Sequence, residues 1–386
     1  MMPLVPGEGG NPAVIKVVGV GGGGGNTVSR MVESEVQGIE FITVNTDAQA
    51  LERTSADRKI KIGDKLTRGL GAGGNPTMGQ RAAEESSDQI LEAVRDSDMV
   101  FIAAGMGGGT GTGAAPIVAQ VARECGALTV AVVTKPFSWE GRRRMQNAED
   151  GINALRDKVD ALLVIPNDRI LQIIDAKTSV ESAFRTVDEV LRQGIQGIAE
   201  IIILPGVINR DFADVRTVMQ QAGSALMAMG RAQGEDRAVE AAKAAISSPL
   251  LDVSINGARG VLMQFKGGND LALSEITEAA EVIQKVTDQD AHIIFGAHID
   301  PRLDGEFQIT LIATGFDTKP QGNQKAYIPK GRAEATPPPL PPLAPSQKAP
   351  PVTVPPVAIP ASTGSSPDDD IADIMRWLRE SRNKKS

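Results

Sequence analysis

The sequence holds one cysteine, two histidines and only 3% aromatic residues among its 386 positions. A single cysteine, Cys125, cannot form an intramolecular disulfide, so packing must hold the fold and a reducing, cytoplasmic setting is expected. His292 and His298 are too few for a histidine metal centre and fit surface or edge positions better. With so few aromatics the core must be aliphatic, although the apolar fraction of 41% is ordinary. No run of 18 or more apolar residues occurs, so no spanning helix and no direct membrane insertion are expected. Residues Met1 to Gly10 lack the basic-then-apolar pattern of a signal peptide. The net charge of -8 argues against a nucleic-acid partner. No Gly-Lys pair occurs anywhere, which excludes the Walker phosphate loop.

Glycine is plentiful instead, and its clusters fall at the ends of apolar runs. The stretch Gly105-Met106-Gly107-Gly108-Gly109-Thr110-Gly111-Thr112-Gly113 follows Met99 to Ala104, which reads as a buried strand. It precedes Ala114 to Val121, which reads as a helix with Pro116 in its first turn. A flexible linker is not wedged between an apolar strand and an apolar helix. A strand-to-helix turn of this kind lets another group approach the backbone and points successive N–H groups at an anion. Thr110 and Thr112 add hydroxyls at the same place.

A second cluster, Gly19 to Asn26, lies between the strand Ala13–Val18 and a helix beginning near Thr27. Its Gly19, Gly21 and Gly24 match the G-x-G-x-x-G spacing of dinucleotide sites, and Asp47 beyond the strand Ile39–Val44 is a tolerable ribose acid. An NAD-binding oxidoreductase therefore stands as one reading. Against it, a third cluster occupies Gly69 to Pro76, and several amide-rich loops at strand ends suit a triphosphate better than a pyrophosphate. The dehydrogenase also lacks an acid/base, because neither histidine is in a glycine-rich strand-end context.

Strands and helices alternate through the first half, with one helix predicted over Thr77–Arg95, a strand over Ala127–Val133 and another over Asp160–Ile165. This alternation implies a parallel sheet covered on both faces. Arg142, Arg143 and Arg144 open a helix at the end where cations oppose the dipole, which means either a solvated patch or a nearby anion. Phe184, Val187, Leu191, Ile195, Ile198 and Ile202 recur at spacings of three and four, predicting a long helix from Ser182 to Leu204 that joins two domains. Beyond it, Asp211 and Asp214 share a helix face, where they serve equally as N-cap and first-turn acid or as functional carboxylates. Shorter elements follow, with helices over Asp236–Ser248 and Ser274–Thr287. Strands over Gly260–Lys266, Ala291–Ile299 and Phe307–Thr314 build a small mixed sheet. From Lys319 the chain turns proline-rich and reads as an extended spacer. It ends in Asp368-Asp369-Asp370, then Ile371, Ile374, Met375 and Leu378 on one face, then basic residues, a pattern suited to a short docking helix.

Six glycines and two threonines in the order of Gly105 to Gly113 resemble the signature loop of the tubulin and FtsZ superfamily, and residues 12 to 318 resemble the FtsZ family of division GTPases throughout. The resemblance implies an α/β fold: a tubulin-like, Rossmann-type GTPase domain (12–180), a central helix (181–205) and a smaller α+β domain (206–318). Composition adds a glycine- and proline-rich N-terminus (1–11) read as disordered and a linker (319–366), and the resemblance extends loosely to a docking peptide (367–386). GTP would be wrapped by Gly22, Gly23, Gly24, Gly25 and Asn26 and by Gly107, Gly108, Gly109, Thr110, Gly111, Thr112 and Gly113. Asn45, Ala72 and Gly73 would line the pocket, Glu140 and Arg144 would meet ribose and phosphate, and Asn167 and Asp188 would read guanine. Asn209, Asp211 and Asp214 match the catalytic loop that the next subunit presents, with magnesium, or potassium as the alternative cation, beside GTP or GDP. The implied partners are further copies of the chain, head to tail, and membrane-tether and regulatory division proteins. The latter would dock on Ile371, Ile374, Trp377 and Leu378 at a mid-cell ring. Met375 and Trp377 depart from the family's proline and phenylalanine, and Arg210 stands where an apolar residue is expected. A nucleotide-gated scaffold without catalysis remains a third reading, distinguished from the enzyme by Asp211 and Asp214.

Overall fold

The structure is a computed structural model that describes residues 13–175, 177–203, 211–251 and 254–316. The expectations for Asn209, Arg210, the N-terminal segment 1–11, the linker and the terminal peptide lie outside the described residues.

The first half alternates as expected. In order it comprises β1 (Ile15–Val20), α1 (Gly21–Glu33), β2 (Ile39–Asn45), α2 (Ala48–Glu52), β3 (Arg58–Lys61), α3 (Asp64–Thr67), α4 (Pro76–Glu85) and α5 (Ser87–Val94). It continues through β4 (Met99–Gly105), α6 (Thr110–Glu124), β5 (Leu128–Lys135), α7 (Arg142–Arg156), β6 (Ala161–Pro166), α8 (Asn167–Ile170) and the long α9 (Val180–Ile203). The second part holds α10 (Phe212–Met219), β7 (Gly223–Gln233), α11 (Arg237–Ile246), β8 (Gly260–Gly267), α12 (Leu273–Gln284), β9 (His292–Ile299) and β10 (Glu306–Thr314).

Strand order is β3-β2-β1-β4-β5-β6-β7-β10-β8-β9. The strands from β3 to β6 run parallel, and β1 is buried along its whole length, as a strand covered on both faces must be. One face carries Val17, Phe101 and Val130 against Val28 of α1 and Ile195 and Ile198 of α9. The other carries Val18, Val100 and Ile102 against Ala82, Ile90, Val118 and Ile152 of α4 to α7. A third cluster packs α11 and α12 on β8 and β10.

Several expectations change. The helix predicted over Thr77–Arg95 is two, α4 and α5, broken at Ser86, whose hydroxyl accepts the Gly63 N–H at 3.2 Å. The helix expected near Thr27 begins at Gly21, so the glycine run is its first turn and a half. Close packing explains this: a Cβ on Gly24 would stand 2.2 Å from the Ala103 carbonyl oxygen of β4. The strand β7 has no clear alternation and was not anticipated, yet it links the two parts of the sheet, pairing parallel with β6 over Ala161–Leu163 and antiparallel with β10. The sequence neighbours β9 and β10 do not pair, because β10 inserts between β7 and β8. The spine helix α9 lies flush against the second part of the sheet at Gly194 and Gly197, where Cβ atoms would meet Met227 and Thr310 at 2.9 Å. His292 is exposed and His298 half-buried on the edge strand β9.

Candidate functional site

In the order β2-β1-β4-β5 the chain reverses direction of growth between β1 and β4. At such a switch point the two connections leave on opposite faces and open a crevice at the carboxyl ends of the strands. There lies a cavity of about 570 Å³.

Three glycine clusters meet around it. Gly21, with φ +73°, turns the chain out of β1, and a Cβ there would stand 2.9 Å from the Gly111 amide. Gly109 presses against the third cluster, with its Cβ position 2.9 Å from the Asn75 nitrogen. The hydroxyls of Thr46 and Thr110, 2.6 Å apart, tie the end of β2 to the signature loop. Added Cβ atoms on Gly22 and Gly108 would meet nothing, so these two backbones face open space in the cavity wall. Amides at the start of α1 and α6 thus surround a space suited to phosphate groups.

The other end of the cavity is built for a base. Asn167 is buried as the first residue of α8, and its Oδ1 has no hydrogen-bond partner among the described residues. Asp188 of α9 is 8% exposed. Burial pushes its carboxyl up to about 6, and the Arg30 guanidinium 3.3 Å away offsets only part of that rise. An orphaned carbonyl oxygen and a desolvated carboxylate together call for a ligand edge rich in N–H donors. Phe184, one turn before Asp188, gives the apolar wall beside them. Between base and phosphate ends, the side chain of the half-buried Glu140 accepts the Phe137 N–H at 2.8 Å and holds Arg144 at 3.0 Å.

Of the expected nucleotide contacts, Gly22, Gly23, Asn26, Asn45, Ala72, Gly73, Gly108, Gly109, Thr110, Gly111, Glu140, Arg144, Asn167 and Asp188 line the cavity. Gly24, Gly25, Gly107, Thr112 and Gly113 do not; they shape the backbone behind it. Thr112 accepts the Gly107 N–H at 2.9 Å, and Gly113 lets α4 approach, its Cβ position being 2.0 Å from the Pro76 oxygen. Sequence reasoning missed Phe184 as a wall, and it weighed Asp47 only as a dinucleotide acid. Asp47 lines the cavity while capping α2 through the Ala50 N–H at 3.0 Å. The i,i+4 spacing of Phe184 and Asp188 was the available signal.

The two acids of the second part are elsewhere. Asp211 caps α10, accepting the Asp214 N–H at 3.0 Å, so the capping role is real. Helix α10 is fastened at the amino end of β5, where Arg216 donates to the Gly126 carbonyl at 2.9 Å. The cavity touches the carboxyl end of the same strand, at Thr134 and Pro136. Eight residues of strand span roughly 25 Å. Neither Asp211 nor Asp214 lines the cavity of its own chain. Among the described residues no group of three or more His, Cys, Asp or Glu could hold a metal ion by itself.

Residues 14–175 match the GTPase domain of the Tubulin/FtsZ family, and residues 223–317 match the C-terminal domain of the FtsZ family. An empty dimer of FtsZ from M. jannaschii is 48% identical with a TM-score of 0.77, covering 80% of this chain and 89% of that one. A point mutant of the M. jannaschii protein gives 48% and 0.76, covering 79% and 91%. CetZ2 from Haloferax volcanii, as a GTPγS-bound protofilament, is 20% identical with a TM-score of 0.67, covering 78% and 92%, and shares the fold.

Proposed function

Because this chain belongs to the FtsZ family, and is therefore a GTP-binding, polymerising GTPase of cell division, we propose that its active site is completed only when a second copy covers the nucleotide. The observation that supports this most is that no residue of α10 lines the cavity, while Arg216 of that helix is tied to Gly126 before the amino end of β5, a strand roughly 25 Å long whose carboxyl end reaches the cavity. One chain carries both halves of the site at opposite ends. Head-to-tail stacking brings the far end of one copy to the near end of the next, and such a heterologous contact leaves both ends open, giving filaments.

In this reading the amides of Gly22, Gly23, Gly108, Gly109 and Gly111 hold the phosphates, and Glu140 and Arg144 sit at ribose and α-phosphate. Asn167 and Asp188 select guanine, because adenine has no N1–H to offer the carboxylate. Asn209, Asp211 and Asp214 of the neighbour orient the attacking water at the γ-phosphate. The cavity is short of positive charge: Arg144 is already paired with Glu140, Arg30 with Asp188, and Asp47 adds a further carboxylate. That donor set fits a divalent cation held by phosphate oxygens and water rather than by a protein cage. Magnesium would supply charge neutralisation there, and potassium, being monovalent, would supply less. The domains run as 12–180, 181–205 and 206–318 in this assignment. Rate per molecule, measured against protein concentration, should be near zero when dilute and rise above a threshold; a rate per molecule independent of concentration would refute the shared site.

Segments 319–366 and 367–386 act, in this reading, as spacer and docking peptide for tether and regulatory proteins on the cytoplasmic face of the division site. No helix among the described residues is long and apolar enough to cross a membrane. Deleting 367–386 should leave GTP turnover and pelleting of polymer within about twofold of wild type while abolishing capture on partner-coated vesicles. Loss of polymer in the truncation would show instead that the peptide belongs to the assembling body.

A further inference from the structure

The strands β5 and β6 end side by side, their ladder stopping at the pair Lys135 and Pro166. The segments that leave them carry different parts of the nucleotide site. The one after β6 opens α8 with Asn167, at the base end. The one after β5 makes a single 3-10 turn, Ser138–Glu140, which delivers Glu140 and, just beyond, Arg144 in α7. Past the last ladder pair, a side chain must hold the two segments in register.

Asp168 does so. One oxygen of its carboxylate accepts the Ser138 N–H at 2.9 Å, and the other accepts the Ser138 hydroxyl. Ser138 is the first residue of its turn, where the N–H has no partner within the helix, so the two bonds take nothing from the turn and fix where it begins. The fixed point acts in both directions. One residue back, Phe137 meets Phe184, the apolar wall of the base end, edge to face at 5.5 Å. Two residues on, the Glu140 carboxylate returns to the Phe137 N–H and holds Arg144. Neither Asp168 nor Ser138 lines the cavity, whereas Asn167, Glu140 and Arg144 do. Any effect of Asp168 on a nucleotide therefore passes through these neighbours.

We propose that Asp168 is a positioning residue for the ribose end of the site: by clamping the Ser138 turn to α8, it sets the spacing between Asn167, which reads the base, and Glu140. The inference rests on the reading that Glu140 meets the ribose. A carboxylate there accepts from the sugar hydroxyls. In guanosine the base edge and those hydroxyls lie a set distance apart. The clamp matches the protein to that distance before the ligand arrives, so the ordering is not charged against binding.

The discriminating probe is dideoxy-GTP lacking both ribose hydroxyls, which keeps the base and all the phosphates. Its affinity and that of GTP are measured in dilute protein. Wild type should prefer GTP by about tenfold or more, the worth of a hydrogen bond to a charged group. Asp168→Ala should lose the preference, binding GTP about tenfold more weakly and the analogue within about twofold of wild type. Asp168→Asn should restore it, because the amide oxygen accepts the Ser138 N–H and the amide nitrogen donates to the Ser138 hydroxyl. Ser138→Ala, at an exposed position, removes one bond from the other side and should give a partial loss, which keeps the test open if Asp168→Ala does not fold. The proposal is overturned if Asp168→Ala weakens both nucleotides equally, as a merely loosened pocket would, or keeps the wild-type preference for GTP. It is overturned equally if Asp168→Asn behaves as Asp168→Ala, since charge and not position would then matter. Failure of the underlying reading looks different: wild type itself would bind GTP and the analogue alike, leaving the clamp no sugar contact to position.

Discussion

Asp214→Ala should bind GTP with wild-type affinity, assemble, and hydrolyse the nucleotide roughly 100-fold or more slowly, the loss typical of removing one group that acts on the transition state. The nucleotide cavity contains no part of α10, so nothing in ground-state binding depends on this carboxylate. The cap of α10 also survives, because Asp211 accepts from the backbone N–H of residue 214 and not from its side chain. That makes Asp214 the cleaner of the two acids. Asp211→Ala would cost about 1 kcal/mol of helix capping on top of any catalytic loss. Asp211→Asn keeps an acceptor for the cap and removes only the charge, so it separates the two roles. Turnover of bound GTP in sedimented polymer is the measurement. Wild-type turnover by Asp214→Ala polymer would remove this residue from the chemistry.

Guanine recognition should fail in acid. Free Asp188 titrates at about 6, raised by burial against the pull of Arg30. Its folded-state value lies above the ordinary 3.8, so this group favours the fold below that value and loses its contribution as pH rises through about 6. Ligand binding runs the other way. Only the carboxylate accepts the two guanine donors, so affinity is full above about 6 and falls as pH drops below it, approaching about tenfold per unit. The terminal phosphate titrates in the same range, so the control is Asp188→Asn. That variant should bind GTP about 100-fold more weakly at pH 7.5, having lost two charge-assisted hydrogen bonds, and should retain only the dependence due to the phosphate. Equal pH profiles for wild type and Asp188→Asn would show that Asp188 does not meet the base.

The strand–glycine–helix units were legible because apolar runs bounded by glycine have few other uses, and the long helix α9 because its stripe is continuous. What the sequence concealed was three-dimensional approach. Gly22 and Gly24 are identical letters two places apart, yet one faces the cavity and the other fills the gap between α1 and β4. Thr110 and Thr112 are equally alike, and the second spends its hydroxyl inside the loop. Ser86 breaks a helix through a hydrogen bond to Gly63, a partner 23 residues away that no local pattern reveals. The strand β7 was hidden for a related reason: its burial is set by pairing with β10, from the far end of the domain. That Asp211 and Asp214 lie outside the cavity lining of their own chain is likewise a matter of placement, fixed where Arg216 ties α10 to Gly126 ahead of β5.

The most direct measurement mixes two variants that are each inactive. Asp214→Ala keeps an intact nucleotide cavity. Gly108→Glu keeps intact acids but places a carboxylate in the phosphate cradle, at a position where added atoms meet no protein. If the site is shared, a one-to-one mixture must hydrolyse GTP, because some contacts join the cavity of the first to the acids of the second. Random order makes about a quarter of the contacts productive, so about a quarter of wild-type turnover is expected. No turnover in a mixture whose two proteins sediment together, while each remains folded, would contradict the account.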